Sequence, residues 1–363
     1  MAFFQGRALV IGVGTYRHEP AHNVPISAAD AQAVAAVLRD PAYCGYPPDR
    51  VSVLHDATAS RDGLLAALDD LAAQAREDDT LFLFFCGHGG YGDDGDYYLT
   101  THDTRVRHGK VASGTGLREG ELIERLRAVK ARRLLLLVNA CHSGELSPTL
   151  GPGAPTFGDT PLPGATAAAL LATGEGRIVI TACRDQQVSW IGPGALSLFT
   201  QALVDGLRGE GTRSSRGYVS AFDLYLYLYD SVKEAVAQRY GETQEPELTV
   251  LKGVGPFAVS LFRGATTLGD FNSTAPPPEG AAVREVSPER ARARLRQFDQ
   301  QIGDSYRAEV HGDGSSAQGP GATAIGKSAV QVGGKNTGNI NTGTQTTQDR
   351  GARFAGGKPR DPE

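Results

Sequence analysis

The sequence predicts an α/β protein: a mainly parallel central sheet flanked by helices in a three-layer sandwich, followed by a low-complexity C-terminal tail. Two observations predict the sheet. Short, strongly apolar runs recur along the first 260 residues, and amphipathic helical patterns separate them. A third predicts the tail, because the last fifty residues change abruptly to Gly, Asn, Thr, Ser and Gln.

The run RALVIGV at residues 7–13, stopped by Gly12 and Gly14, predicts a buried first strand. Residues 27–38 predict a helix, with Ser27 as its cap and Asp30 at the third position in a capping-box arrangement. Residues 51–54 predict the second strand. Residues 60–76 predict an amphipathic helix with Leu64, Leu65, Leu68 and Leu71 on one face. The third strand, 80–85, runs straight into Cys86-Gly87-His88-Gly89-Gly90. Residues 97–100 predict a short edge strand leaving the acidic turn Asp93-Asp94-Gly95-Asp96.

A helix at 116–129, a fourth strand at 133–138 and a fifth at 177–181 follow, then helices at 195–207 and 219–236 and a closing strand at 256–260. Between 144 and 176 lies a stretch rich in Gly, Pro, Ala and Thr, read as a long loop that serves as a lid or processing site. The expected organisation is a domain at 1–265, a linker at 266–287, a charged helix at 288–310 and the tail at 311–363. The tail carries isolated aliphatics in Ala324-Ile325-Gly326, Ala329-Val330-Gln331-Val332 and Asn339-Ile340-Asn341. It either stays disordered or adds its strands to an exposed sheet edge of a partner.

Among 363 residues, 40% are hydrophobic and 21% charged, with a net charge of -5. This balance gives no reason to expect nucleic acid or an anionic membrane as partner. The start of the chain lacks a secretory pattern and no apolar run is long enough to span a bilayer, so a cytoplasmic protein is expected. Cys44, Cys86, Cys141 and Cys183 form no CxxC pair, which argues against a zinc site or disulfide framework.

Two segments carry chemistry. Phe84-Phe85-Cys86-Gly87-His88-Gly89-Gly90 ends one predicted strand, and Val138-Asn139-Ala140-Cys141-His142-Ser143-Gly144 ends another, with Cys141 lying 53 residues after His88. An unassisted thiol is only partly ionised at neutral pH, so a nucleophilic cysteine needs an imidazole beside it. Parallel strands gather their reactive residues at their carboxyl ends, which makes Cys141 the expected nucleophile and His88 the expected base. The glycines around His88 allow close approach of a substrate main chain, and the N–H groups of Gly89 and Cys141 are the expected oxyanion hole. His142 neighbours Cys141 on an extended segment and therefore points to the opposite side. His18, His22, His55, His102, His108 and His311 lack a comparable setting and are expected on surfaces or loops.

The two motifs in combination resemble the caspase-like clan of cysteine peptidases, most of all bacterial orthocaspases and metacaspase-like proteins. The resemblance covers roughly residues 7–262 and extends to Ile26-Ser27-Ala28-Ala29-Asp30-Ala31, to Tyr98-Leu99 with Asp103, and to Thr181-Ala182-Cys183-Arg184-Asp185 and Leu198-Phe199-Thr200. It implies peptide hydrolysis by a His-Cys dyad, without an organic cofactor, on the caspase sheet. It also implies a substrate pocket containing Asp30, Asn139, Cys86 and Asp185. Metacaspase-like enzymes cleave after Arg or Lys and carry an Asp two residues before the cysteine, where this chain has Asn139; Asp30 matches their other pocket acid.

A single carboxylate still suits a basic P1 side chain, so cleavage after Arg or Lys is expected. The alternative is Asp specificity through Arg184. Residues 142–176 contain Asp159 but no Lys or Arg, so an Arg/Lys-specific enzyme acts as one intact chain. Calcium activates many metacaspases, and Asp103, Glu119 and Glu121 fall near the positions concerned. Other functional readings are a non-catalytic interaction module on the same scaffold and a hydrolase of non-peptide acyl groups. The architecture further suggests a regulated bacterial effector that meets a sensor or regulatory protein, such as a sensor NTPase in stress or antiviral defence, through its tail.

Overall fold

The computed structural model describes residues 2–140, 160–184, 187–211, 214–215, 217–251, 254–262 and 282–305, followed by four short strands between 315 and 342. The chain divides into two compact units, Met1–Leu295 and Arg296–Glu363. The first opens with β1 (Gly6–Gly12), α1 (Ile26–Arg39), β2 (Val51–His55), α2 (Arg61–Gln74) and β3 (Thr80–Cys86). Short strands β4 (Gly89–Tyr91), β5 (Tyr97–Leu99), β6 (Val106–Arg107), β7 (Lys110–Val111) and β8 (Leu117–Arg118) lead to α3 (Glu119–Ala128) and β9 (Arg133–Asn139).

Then come α4 (Gly164–Leu171), β10 (Arg177–Thr181), α5 (Leu198–Arg208), β11 (Ser214–Ser215), β12 (Tyr218–Ser220) and α6 (Ala221–Tyr240). Strands β13 (Glu247–Leu251), β14 (Ala258–Leu261) and β15 (Ala282–Val286) precede α7 (Pro288–Ser305), within which the boundary between the units falls. In the second unit, β16 (Ser315–Ser316) pairs antiparallel with β19 (Asn341–Thr342), and β17 (Ala322–Ile325) pairs antiparallel with β18 (Ala329–Val332).

The main sheet has seven strands in the order β15-β13-β10-β9-β3-β1-β2. The five from β2 to β10 are mutually parallel; β13 runs antiparallel to β10, and β15 follows β13. Every residue of β3 and β10 is buried, as expected of central strands covered on both faces. Strand alternation divides them: Phe82, Phe84, Leu135, Leu137, Ile178 and Ile180 pack with α1, α5 and α6 in one core. Leu81, Leu83, Leu134 and Leu136 are equally buried and fall outside that core, on the face that α2, α3 and α4 cover. The expected three-layer sandwich is therefore present.

Several elements depart from expectation for local reasons. Helix α1 begins at Ile26 after Pro25 with no side-chain cap, so Ser27 lies inside the helix and is buried. Leu117 pairs with Leu99 and Arg118 with Tyr98 as β8, so the helix expected from 116 starts at Glu119. Tyr218–Ser220 likewise joins a strand before Ser220 caps α6 by accepting from the Asp223 N–H. Strand β14 pairs with β12 in a separate three-stranded sheet and does not close the main one.

Helix α4 lies inside the expected loop. Its sequence GATAAALL has no polar face, so it lacks the periodicity that reveals a surface helix. Strand β13 was not anticipated. Strand β15 falls in the expected linker, where Arg284 Nε bonds Glu247 Oε1 at 2.8 Å across the β13 pairing.

Arg177, 1% exposed, closes the end of the sheet opposite the reactive motifs. Its guanidinium donates to the backbone carbonyls of Val129, Ala131 and Glu175, and burial pushes its pKa down to about 10. It thereby satisfies the chain turning between α3 and β9. Replacing the guanidinium leaves those carbonyls without their donor, so Arg177→Met is expected to cost about 2–3 kcal/mol in urea unfolding. Unchanged stability in that variant would contradict the role.

Candidate active site

The geometry begins with β3 and β9, which lie side by side in parallel with Cys86 opposite Asn139. The Gly87 N–H continues the ladder by donating to the Asn139 carbonyl at 3.1 Å. His88 lies two residues beyond Cys86, and position 141 lies two residues beyond Asn139. The 53-residue spacing seen in the sequence is therefore the register offset of the two strands. Cys141 itself, with His142, lies outside the described residues, as does Asp185.

His88 is 2% exposed and held at several atoms. Its N–H donates to Tyr16 Oη at 3.3 Å, and its carbonyl accepts from the Thr100 N–H at 3.0 Å and Thr100 Oγ1 at 2.9 Å. The Tyr16 ring lies 5.4 Å from the imidazole, and Tyr16 Oη meets Thr100 Oγ1 at 2.9 Å. Nε2 lies 3.0 Å from the His22 carbonyl oxygen. A carbonyl only accepts, so Nε2 carries a proton, and in the neutral form of the ring the basic lone pair lies on Nδ1. His22 places its own ring edge-on to His88 at 6.4 Å and is 5% exposed, against the expectation of a surface or loop histidine.

Gly89 opens β4 opposite Leu99. Its carbonyl accepts the Thr160 N–H at 2.8 Å, and the Thr160 carbonyl accepts Tyr97 Oη at 2.8 Å. In a strand the N–H and C=O of one residue point to the same side, so the Gly89 N–H also faces away from β5. A Cβ at Gly89 would lie 2.0 Å from Tyr97 Oη, which restricts the position to glycine.

Asp30, Cys86 and Asn139 do come together. They join Ser197 and Thr200 in a polar cluster with 0% exposure at every member. Asp30 Oδ1 accepts the Ser197 N–H at 3.0 Å, while Oδ2 accepts from Ser197 Oγ at 2.6 Å, Thr200 Oγ1 at 2.9 Å and Cys86 Sγ at 3.3 Å. Asn139 Nδ2 donates to Ser197 Oγ at 3.1 Å, and its Oδ1 is buried without a hydrogen-bond partner. Instead of capping its own helix, Asp30 anchors the N-terminus of α5, where Ser197 Oγ also accepts the Thr200 N–H. Burial raises the Asp30 carboxyl above the usual range against the hydrogen bonds from Ser197 and Thr200.

Burial and then the neighbouring Asp30 drive the Cys86 thiol well above its ordinary value, and burial pushes Cys44 up to about 12. Arg184 pairs with Glu245 at 3.2 Å, and Glu245 also meets Lys233 and Tyr229 Oη at 3.1 Å. Burial would raise the Glu245 carboxyl, but Lys233, Tyr229 and Arg184 together hold it below the usual range.

The acids considered for calcium have protein partners: Asp103 with the Arg61 N–H and Thr101, Glu121 with Arg61, and Glu119 with Thr166 and the Tyr97 N–H. In the acidic turn, Asp93 meets the Ser113 N–H, Asp94 meets Tyr98 Oη and Asp96 meets Arg118. Among the described residues no group of three or more His, Cys, Asp or Glu is arranged to hold a metal ion. Nor is any helix among them long and apolar enough to cross a membrane.

Sequence reasoning did not find the His22 carbonyl, Tyr16, Thr100 or Ser197. A backbone acceptor 66 residues from His88 leaves no mark in side-chain identity, and a hydroxyl acquires its role only from the packing of α5 against α1.

Residues 5–253 match the family model of the caspase domain, Peptidase_C14. No curated protein matches the chain. Among solved structures it is similar to protein GSU0716 from Geobacter sulfurreducens, at 20% identity and a TM-score of 0.44, over 67% of this chain and 92% of that one. It is also similar to caspase-1 from Spodoptera frugiperda, at 16% identity and a TM-score of 0.45, over 68% and 86%. The pro-form of that caspase gives 13% identity and 0.43, over 69% and 92%. A family match over more than half the length, together with the parallel sheet and its His88 loop, makes this chain a member of the caspase-domain family of peptidases.

Proposed function

We propose that the chain is a cysteine endopeptidase that works through His88 and Cys141 and prefers Arg or Lys before the scissile bond. The observation that carries the first part is the 3.0 Å contact of His88 Nε2 with the His22 carbonyl, which leaves Nδ1 to act as base, at the end of the strand paired with β9. Nδ1 takes the thiol proton, and the sulfur attacks the scissile carbonyl carbon. The C–N bond breaks as the imidazolium returns that proton to the leaving amine. Water then adds to the thioester, giving one proton to Nδ1, and the C–S bond breaks to release the acid and restore the dyad. The Gly89 and Cys141 N–H groups stabilise the oxyanion in both halves.

The specificity rests on the buried cluster. A basic side chain needs acceptors: Asn139 Oδ1 is unpartnered, and the Asp30 carboxyl beside it would accept the incoming cation in exchange for the hydroxyls of Ser197 and Thr200 that it now holds. Asp specificity would require a guanidinium ready for a carboxylate, whereas Arg184 is committed to Glu245. Asp159 offers the only aspartate between 142 and 176, yet the adjacent Thr160 is already tied to Gly89 and Tyr97, which supports action as an intact chain.

Fluorogenic peptides ending in Arg, Lys or Asp test this reading. Cleavage after Arg and Lys is expected in the wild type and none in Cys141→Ala or His88→Ala. Asp30→Asn keeps the shape and removes the charge, so kcat/KM on Arg substrates should fall by about 10- to 150-fold, the worth of one charged hydrogen bond. An equal loss on all peptides would make Asp30 an anchor of α5 alone, and preference for Asp peptides would overturn the specificity.

Thiol reactivity gives an independent check. At pH 7 a thiol with a pKa of about 12 is ionised in only about one molecule in 10⁵. Iodoacetamide should therefore label Cys141 in the native protein while Cys44 and Cys86 stay unlabelled by mass spectrometry. Labelling of Cys86 before Cys141 would contradict the assignment of the nucleophile.

A further inference from the structure

We propose that the segment from β16 to β19 is a self-association element, which pairs strand edge to strand edge with the same segment of further copies of this chain. Its strands form two ladders of two strands each, β16 with β19 and β17 with β18. Each ladder leaves an outer edge on both of its strands among the described residues. A two-stranded ladder is at best marginally stable alone, so further strands stabilise it.

The sequence favours a like partner. Strands β17 and β18 open two near-repeats, Ala322-Thr323-Ala324-Ile325-Gly326-Lys327 and Ala329-Val330-Gln331-Val332-Gly333-Gly334-Lys335. The register sets Ala322 opposite Val332 and Ala324 opposite Val330, so small and β-branched residues are paired along the ladder. From 314 to 348 the only charged residues are Lys327 and Lys335, both outside the strands, and no proline lies between Pro320 and Pro359. The usual devices that protect an edge, charges and prolines within the strand, are thus missing from β17 and β18.

Amides decide between self and foreign partners. Gln318, Gln331, Asn336, Asn339 and Asn341 punctuate the segment, and Gln345 and Gln348 follow it. Carboxamides form continuous ladders when each stacks on its own kind, which in-register copies of one sequence guarantee and a foreign sheet edge does not. Stacking of this kind would hold many peptidase domains at high local concentration. It requires no catalysis, and so stands apart from the proposed peptidase activity.

The full-length protein tests the proposal, beside Gln331→Pro and Cys141→Ala. Proline removes the ladder N–H in the middle of β18. The wild type and Cys141→Ala are expected to assemble with rising concentration, to bind thioflavin T and to give a meridional reflection at about 4.7 Å. Preformed wild-type assemblies should seed fresh wild type, while Gln331→Pro loses both assembly and seeding and cleaves peptides as the wild type does. A wild type that stays monomeric in analytical ultracentrifugation, or a Gln331→Pro protein that assembles equally well, would overturn it. So would a tail that binds another protein but never its own copies.

Discussion

The hydrogen-bonded register between β3 and β9 is the constraint on which the site depends. Placing Cys86 opposite Asn139 sets the first residues beyond both strands, Gly87 and Ala140, at the same level, and in sequence His88 and Cys141 each follow the last pair by two residues. A slip of one residue would break that correspondence and turn one strand's buried side chains to the opposite face. Such a slip is resisted because β3 and β9 are covered on both sides, with Phe82, Phe84, Leu135 and Leu137 in one core and Leu81, Leu83, Leu134 and Leu136 in the other. Ordinary packing therefore sets the geometry for chemistry.

Beneath this pair, desolvation sets the roles of the polar groups. The Asp30 cluster draws together α1, β3, β9 and the start of α5, and it contains a carboxyl acceptor, two hydroxyls, a thiol and an amide away from water. The same burial that makes Asp30 a strong anchor for α5 makes Cys86 a poor nucleophile, although Cys86 lies only two residues from His88. His88, by contrast, is satisfied through its backbone and Nε2 by Tyr16, Thr100 and His22.

Much of this was legible in the sequence because the signals were local. Unbroken apolar runs announced β1, β3, β9 and β10, and the two motifs announced the strand ends that carry His88 and Cys141. Helix α4 was hidden by having no polar face, and β15 by lying among residues whose composition reads as a linker. Asp30 was singled out for its chemistry, but its partners Ser197 and Thr200 come from 167 and 170 residues away. The His22 carbonyl was invisible for a deeper reason, since a main-chain atom has no residue type to read.

In the proposed mechanism the imidazole of His88 activates the sulfur of Cys141. The pH dependence of alkylation at Cys141, followed in the wild type and in His88→Ala, tests it most directly. An inflection below the free-thiol value of about 8.5 is expected in the wild type, rising to that value when the ring is removed. The same inflection in both proteins would mean that the two side chains do not communicate, and would rule out activation of the thiol by His88.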